Sequence, residues 1–131
     1  MTSGGCQCGA IRYTVRGEAG HKSLCYCGDC RKSSGAPVVG WMLFEQDQVE
    51  ISGSPVSYKS SDHGERQFCG QCGSSLFYLS ETVFPGQVDI TIASLDDPAA
   101  FPPEARIQLA DAPEWARHMD ELPGFERYPG M

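Results

Sequence analysis

Seven cysteines in 131 residues, spaced as Cys6-x-Cys8, Cys25-x-Cys27-x-x-Cys30 and Cys69-x-x-Cys72, restrict this chain more than any other feature. An odd number cannot all pair as internal disulfides. A closed tetrahedral zinc site needs four ligands. The two outer pairs supply four, which leaves the middle group as three thiolates with one open position. Side chains at i and i+2 of an extended segment point the same way. Cys6 and Cys8 can therefore grip one metal, and so can Cys25 and Cys27. Glycine directly follows Cys8, Cys27, Cys69 and Cys72, which suits tight knuckles whose backbone N–H groups bond sulfur and disperse its charge. Closing the outer four around zinc ties the N-terminal strand to a distant hairpin. Structural zinc supplies on the order of 10–16 kcal/mol to folding.

Two simpler partitions compete. In a zinc ribbon, Cys27/Cys30 and Cys69/Cys72 share one metal, but Cys6, Cys8 and Cys25 are then stranded. A redox pair, Cys27-Gly-Asp-Cys30 or Cys69-Gly-Gln-Cys72, wants a strand-to-helix junction inside βαβ units, and the chain has no such pattern. A reducing cytoplasm is the expected setting, and there clustered cysteines read as metal ligands or redox groups. The opening MTSGGCQCGAIRY has no basic region followed by an apolar run, so no secretory leader is expected. The apolar stretch VVGWMLF is too short to span a bilayer. A net charge of −7, with Arg31-Lys32 as the densest basic run, argues against nucleic acid as a partner.

The patterning predicts one mainly β domain over residues 1–131, with a strand-rich core to residue 95 and a Pro-rich segment 96–131 carrying a short helix. AIRYTVRG alternates Ile11, Tyr13 and Val15 against Arg12, Thr14 and Arg16, a half-buried strand. PVVGWMLFE is almost continuously apolar, as in a strand covered on both faces. QVEISG and SPVSYKS flank Gly53-Ser54-Pro55 and predict a hairpin. SSLFYLSE and QVDITIASL follow, the latter alternating Val88, Ile90 and Ile92 against Asp89, Thr91 and Ala93. DDPAAFPPEA ends the strand series. A helix is predicted near DAPEWARHMDEL, capped by Asp111 with Glu114 three residues on, with Trp115, Met119 and Leu122 on one face.

The open position over Cys25, Cys27 and Cys30 defines the expected chemistry. Three thiolates already donate much charge, so a bound water there is less acidic than under neutral imidazoles. Zinc accepts soft sulfur readily, and the vacancy suits capture of a substrate thiol as thiolate. Such a sulfur can add to a small electrophile such as an aldehyde, and the reverse reaction cleaves a carbon–sulfur bond.

GGCQCGAIRY, CYCGDCRKSSGA and RQFCGQCGSSLFY together resemble the glutathione-dependent formaldehyde-activating enzyme family, which includes the centromere protein V relatives. The closing EWARHMDELPGFERY is similar to that family's Trp…Leu-Pro-x-Phe ending. The resemblance implies a β-tent of antiparallel sheets, shared with zinc-containing methionine sulfoxide reductases, and two zinc ions per chain. Cys6, Cys8, Cys69 and Cys72 match the structural ligands, and Cys25, Cys27 and Cys30 the catalytic ones. The implied reaction joins glutathione and formaldehyde into S-(hydroxymethyl)glutathione, formally a carbon–sulfur lyase activity. The alternative is a zinc-stabilised binding module in which both metals only staple the fold.

Other residues carry weaker expectations. Arg31 and Lys32, next to Cys30, are candidates to meet a carboxylate of a peptide-like thiol substrate. His21 can orient a ligand or donate a proton, although a loop histidine is more simply exposed. His63 and His118 read as surface residues. Arg66 and Gln67 are expected to satisfy the knuckle backbone. Trp41, Phe44, Phe77 and Tyr78 read as core, and Trp115 and Phe125 as pins holding the C-terminal segment on the sheet.

Overall fold

A computed structural model describes residues 1–130. The apolar run becomes β4 (Val39–Glu45), with four consecutive buried residues from Trp41 to Phe44. Burial on both faces follows from its position inside a seven-stranded sheet. β3 (Lys22–Cys25) pairs with one edge and β9 (Gln87–Thr91) with the other. β8 (Ser75–Leu79), β7 (Glu65–Phe68) and β6 (Val56–Lys59) continue outward beyond β9. These pairings are antiparallel. The far edge carries β10 (Ala105–Ile107), which runs parallel to β3. A smaller antiparallel sheet is built from β1 (Thr2–Gly5), β2 (Arg12–Val15) and β5 (Val49–Ser52), with β2 in the middle.

Register assigns the two faces of the large sheet different work. Residues directly opposite across antiparallel strands share a face. Met42 pairs with Ile90 and Phe44 with Val88, and this row turns toward the small sheet. There it packs with Tyr13, Val15, Leu76 and Phe77 into the main core. Tyr13 meets Phe77 edge-on at 5.8 Å, and its hydroxyl shares a 2.7 Å hydrogen bond with Ser94 Oγ. Each fully buried side chain of this size contributes roughly 1.5–3 kcal/mol, so sliding the register by one residue is strongly disfavoured. The alternate row contains Trp41, Leu43, Asp89, Thr91, Tyr78 and Arg66. It faces a second, smaller cluster of Cys25, Cys30 and Trp41.

Four expectations are corrected. β5 and β6 do not form a hairpin with each other. The Gly53-Ser54-Pro55 turn instead carries the chain from the small sheet to β6, the edge of the large sheet opposite β10. The C-terminal helix is not α-helical: Glu114–Glu121 forms two 3-10 turns joined at His118, whose φ and ψ are −132° and 32°. Its N-cap is Pro113, without a side-chain cap, because Asp111 accepts from Gly28 N at 3.3 Å instead. Within that segment only Ala116 is buried, and a short helix with little packing has little to hold it. Trp115 and Phe125 are exposed and do not pin the segment. The Pro-rich segment adds a strand, β10, rather than ending the series. A helix the pattern did not announce, α1 (Gly28–Ser34), follows Cys27 and stops at Gly35, whose φ of 70° is left-handed.

Candidate metal centres and active site

Cys6 and Cys8 lie in the turn after β1, and Cys69 and Cys72 in the knuckle between β7 and β8. Both knuckles need a left-handed residue, supplied by Gly9 at φ 82° and Gly73 at φ 80°. The four Sγ atoms lie within 4.8 Å of one another. Zinc–sulfur bonds of about 2.3 Å make a tetrahedron with sulfurs about 3.8 Å apart. Cys6–Cys8 and Cys8–Cys69 are each 3.7 Å apart, so the spacing fits. Ile11 N donates to Cys6 Sγ at 3.2 Å, and Gln71 N and Cys72 N donate to Cys69 Sγ at 3.4 Å. The Ser74 hydroxyl beside Cys72 pulls that thiol down to about 5. All seven cysteines are free. Four packed sulfurs, two of them (Cys6 and Cys72) held toward thiolate, form a cage that could hold a metal ion.

The remaining three sulfurs form a second group, again within 4.8 Å of one another. Cys25 ends β3. Cys27 caps α1, its Sγ accepting from Cys30 N at 3.3 Å. Cys30 sits buried in the first turn of that helix. Among the described residues no fourth His, Cys, Asp or Glu ligand atom joins the trio. A hydrogen bond from Cys25 and the neighbouring Arg66 guanidinium hold Cys30 well below the ordinary thiol range. Cys25, sharing that hydrogen bond and buried, is pushed up. The trio and the four-sulfur group are separate, so the ribbon pairing of Cys27/Cys30 with Cys69/Cys72 does not occur. Both groups can hold a metal ion, and all-sulfur donors suit zinc.

The trio opens into a cavity of about 540 Å³, in the range of small-molecule sites. Its floor is the polar row of the large sheet: His21, Ser23, Asp89, Tyr78 and Arg66. Arg66 lies over the Tyr78 ring at 4.9 Å and donates to Cys30 Sγ at 3.6 Å. Ser23 Oγ, Arg66 Nε and Asp89 Oδ1 are buried without a hydrogen-bond partner. Three such atoms on one cavity wall form a polar surface ready for a ligand.

Arg31 and Lys32 do not line the cavity. Arg31 donates to the Asp111 carbonyl at 3.3 Å, and Lys32 is exposed. Arg66 is instead the arginine facing the trio, rather than a support for the knuckle, and Gln67 bonds Ser57 Oγ at 3.0 Å. His63 is an exposed rim residue of the cavity. His118 is on the surface between Glu114 and Glu121. Phe44 and Phe77 are in the main core, while Trp41 and Tyr78 wall the cavity. Asp89 and Arg66 were missed as site residues. For Asp89 the signal is an acid on the polar phase of an alternating strand; for Arg66 nothing local marks it.

Fold and site together define a β-rich protein with two separate cysteine centres, one of four sulfurs and one of three at the base of a polar cavity. The chain belongs to the glutathione-dependent formaldehyde-activating enzyme family, which residues 1–111 match. It is 31% identical over 75 residues to an uncharacterized lyase of Schizosaccharomyces pombe, a match covering 57% of this chain and 55% of that protein. The chain thus spans about half the length of this curated relative. The crystal structure of a Rhodobacter sphaeroides protein superposes with a TM-score of 0.62 at 20% identity, over 79% of this chain and 98% of that one; that likeness concerns the fold. Among the described residues no helix is long and apolar enough to cross a membrane.

Proposed function

We propose that the protein is a zinc-dependent enzyme of the carbon–sulfur lyase type that joins a thiol, glutathione first among candidates, reversibly to a small aldehyde such as formaldehyde. The product of that pair is S-(hydroxymethyl)glutathione. Cys6, Cys8, Cys69 and Cys72 would hold a structural zinc, and Cys25, Cys27 and Cys30 a catalytic one. The observation that carries the reading is the three-sulfur group, which among the described residues has no fourth protein ligand atom and opens on a polar cavity. Zinc bound there supplies a soft cation that favours a substrate sulfur as thiolate at neutral pH. Family membership supports glutathione and an aldehyde as the substrate classes.

The chain's own residues do the rest of the binding. Arg66 offers a guanidinium with an unpartnered Nε to a substrate carboxylate. Trp41, Tyr78 and Phe84 give the cavity an aromatic wall that limits water around the reacting atoms. The test is metal counting followed by glutathione titration of cobalt-substituted protein, with formaldehyde consumption measured with and without thiol. Two metals, a spectral change confined to one of them, and thiol-dependent consumption are expected. No spectral change at either metal would assign both centres to stapling and overturn the enzymatic reading.

A further inference from the structure

Asp89 sits in the middle of β9, between Leu43 of β4 and Tyr78 of β8, and is 7% exposed. A carboxylate in such a place is costly unless partnered. Burial raises its pKa to about 6 even with an imidazole beside it. That imidazole is His21, just before β3, whose carbonyl accepts from Leu43 N at 3.0 Å. His21, Leu43 and Asp89 therefore lie in one cross-strand row on the cavity face. His21 Nε2 is 3.2 Å from Asp89 Oδ1, near enough to pair but not aligned as a hydrogen bond, which leaves Oδ1 without a proper donor. Catalytic hydrogen bonds are often misaligned before substrate binds and tighten afterwards. Among the described residues Nδ1 of His21 has no protein partner. The ring is also partly exposed, so it can exchange its proton with solvent. The other ionisable groups lining the cavity are Cys25, Cys27, Asp29, Cys30, His63, Arg66, Tyr78 and Asp111, of which His63 is an exposed rim imidazole with no carboxylate paired to it among the described residues. None of them combines a free proton-accepting atom with a second group to orient it.

We propose that His21 is the proton carrier of this site, with Asp89 as its positioning residue. The inference rests on the thiol–aldehyde reading above. Asp89 keeps the ring hydrogen on Nε2, which leaves the Nδ1 lone pair as base. The incoming thiol loses its S–H proton to Nδ1. The sulfur lone pair then forms the C–S bond, the C=O π pair moves to oxygen, and that oxygen takes the proton back from Nδ1. The imidazole ends neutral, and thiol plus aldehyde become a hydroxymethyl thioether with no oxidant or reductant involved. In the lyase direction the same proton runs backwards.

The test uses the full chain with isotope-labelled histidine, both metal-free and loaded with zinc, as wild type, His21→Gln and Asp89→Asn. Ring-nitrogen NMR of wild type should show the neutral His21 ring protonated at Nε2, and Asp89→Asn should mix the two tautomers, which a purely structural carboxylate would not do. Rates of S-(hydroxymethyl)glutathione formation above the uncatalysed reaction should fall about 100-fold or more in His21→Gln. Glutathione affinity at the cobalt-substituted site should fall far less than the rate, because the three-sulfur site and Arg66 rather than His21 hold the bound thiol. A wild-type ring protonated at Nδ1 overturns the proposal, and so does a His21→Gln rate within about twofold of wild type. A wild type that neither captures thiol nor turns over instead overturns the underlying reading of the site.

Discussion

Replacing Cys69 with Ala separates a metal-held fold from one held by packing alone. Cys69 is 2% exposed and belongs to the main core. Its sulfur lies 3.7 Å from Cys8 and accepts from two backbone amides. If the sulfur only packs, losing one buried heavy atom costs roughly 0.5–1.5 kcal/mol. Each abandoned amide adds about 1 kcal/mol. The packing account therefore reaches about 3 kcal/mol, a fall of roughly 10–20 °C in Tm for a chain of this size. If the sulfur is one of four zinc ligands, the variant forfeits a large share of about 10–16 kcal/mol. Domains of this size have total stabilities of roughly 5–15 kcal/mol, so Cys69→Ala should be unfolded at 25 °C. Circular dichroism melts combined with metal counting on the purified variant decide the matter. A cooperative melt within about 20 °C of wild type, with the metal count unchanged, would refute the assignment of Cys69 to a metal-closed centre.

The other expectations need less argument. Cys27→Ala, whose sulfur lies in the open group, should leave a folded protein with a lowered Tm, one metal short and unable to capture thiol; unfolding would show the two centres to be assigned backwards. Arg66→Gln should raise KM for glutathione about 10-fold or more while leaving an uncharged thiol such as mercaptoethanol nearly unaffected, as steady-state kinetics with both would read. Asp89 has a folded pKa of about 6 against an unfolded value near 4, so the fold binds the extra proton between them and this group's contribution falls as pH rises through that window. Urea unfolding should therefore find Asp89→Asn more stable than wild type by about 1–3 kcal/mol at pH 7, with the difference vanishing toward pH 4. Trp115→Ser should change stability by less than about 0.5 kcal/mol, because that indole is largely exposed.

The grouping of the sulfurs was legible because ligand number and local spacing are properties of short segments. Pairs at i, i+2 and i, i+3 with adjacent glycines define knuckles wherever the rest of the chain goes. The strands around Tyr13, Trp41 and Ile90 were legible for the same reason, since alternation and apolar runs are local. What failed required knowing the partner. The Gly53-Ser54-Pro55 turn has hairpin residues, but turn chemistry does not say which sheet each strand enters. The helix after Cys27 escaped notice because a cysteine is its cap and its seven residues, GDCRKSS, bury only Cys30. Asp89 was visible as the polar phase of an alternating strand; that this phase faces a cavity depends on β4 and β8 flanking it. The helical periodicity of Trp115, Met119 and Leu122 misled because the sheet offers that stripe no surface.

The two cysteine centres are mechanically linked even though they share no ligand. β7 and β8 form the hairpin whose turn holds Cys69 and Cys72, and the same strands carry Arg66 and Tyr78. Arg66 is three residues from Cys69, and its guanidinium reaches Cys30 Sγ on the other side of the sheet's polar row. Beyond β7 among the described residues lies β6, an exposed edge strand, so the hairpin's outer half has little packing to fix its position. Closing the knuckle against Cys6 and Cys8 ties it to the small sheet instead. That constraint fixes where the Arg66 guanidinium sits relative to the three-sulfur group. Displacement of order 1 Å in such a group is enough to cost catalysis heavily. Opening the four-sulfur centre, as in Cys72→Ala, is therefore expected to displace the Arg66 guanidinium from Cys30 and to raise KM for a carboxylate-bearing thiol, which steady-state kinetics on the folded variant would read.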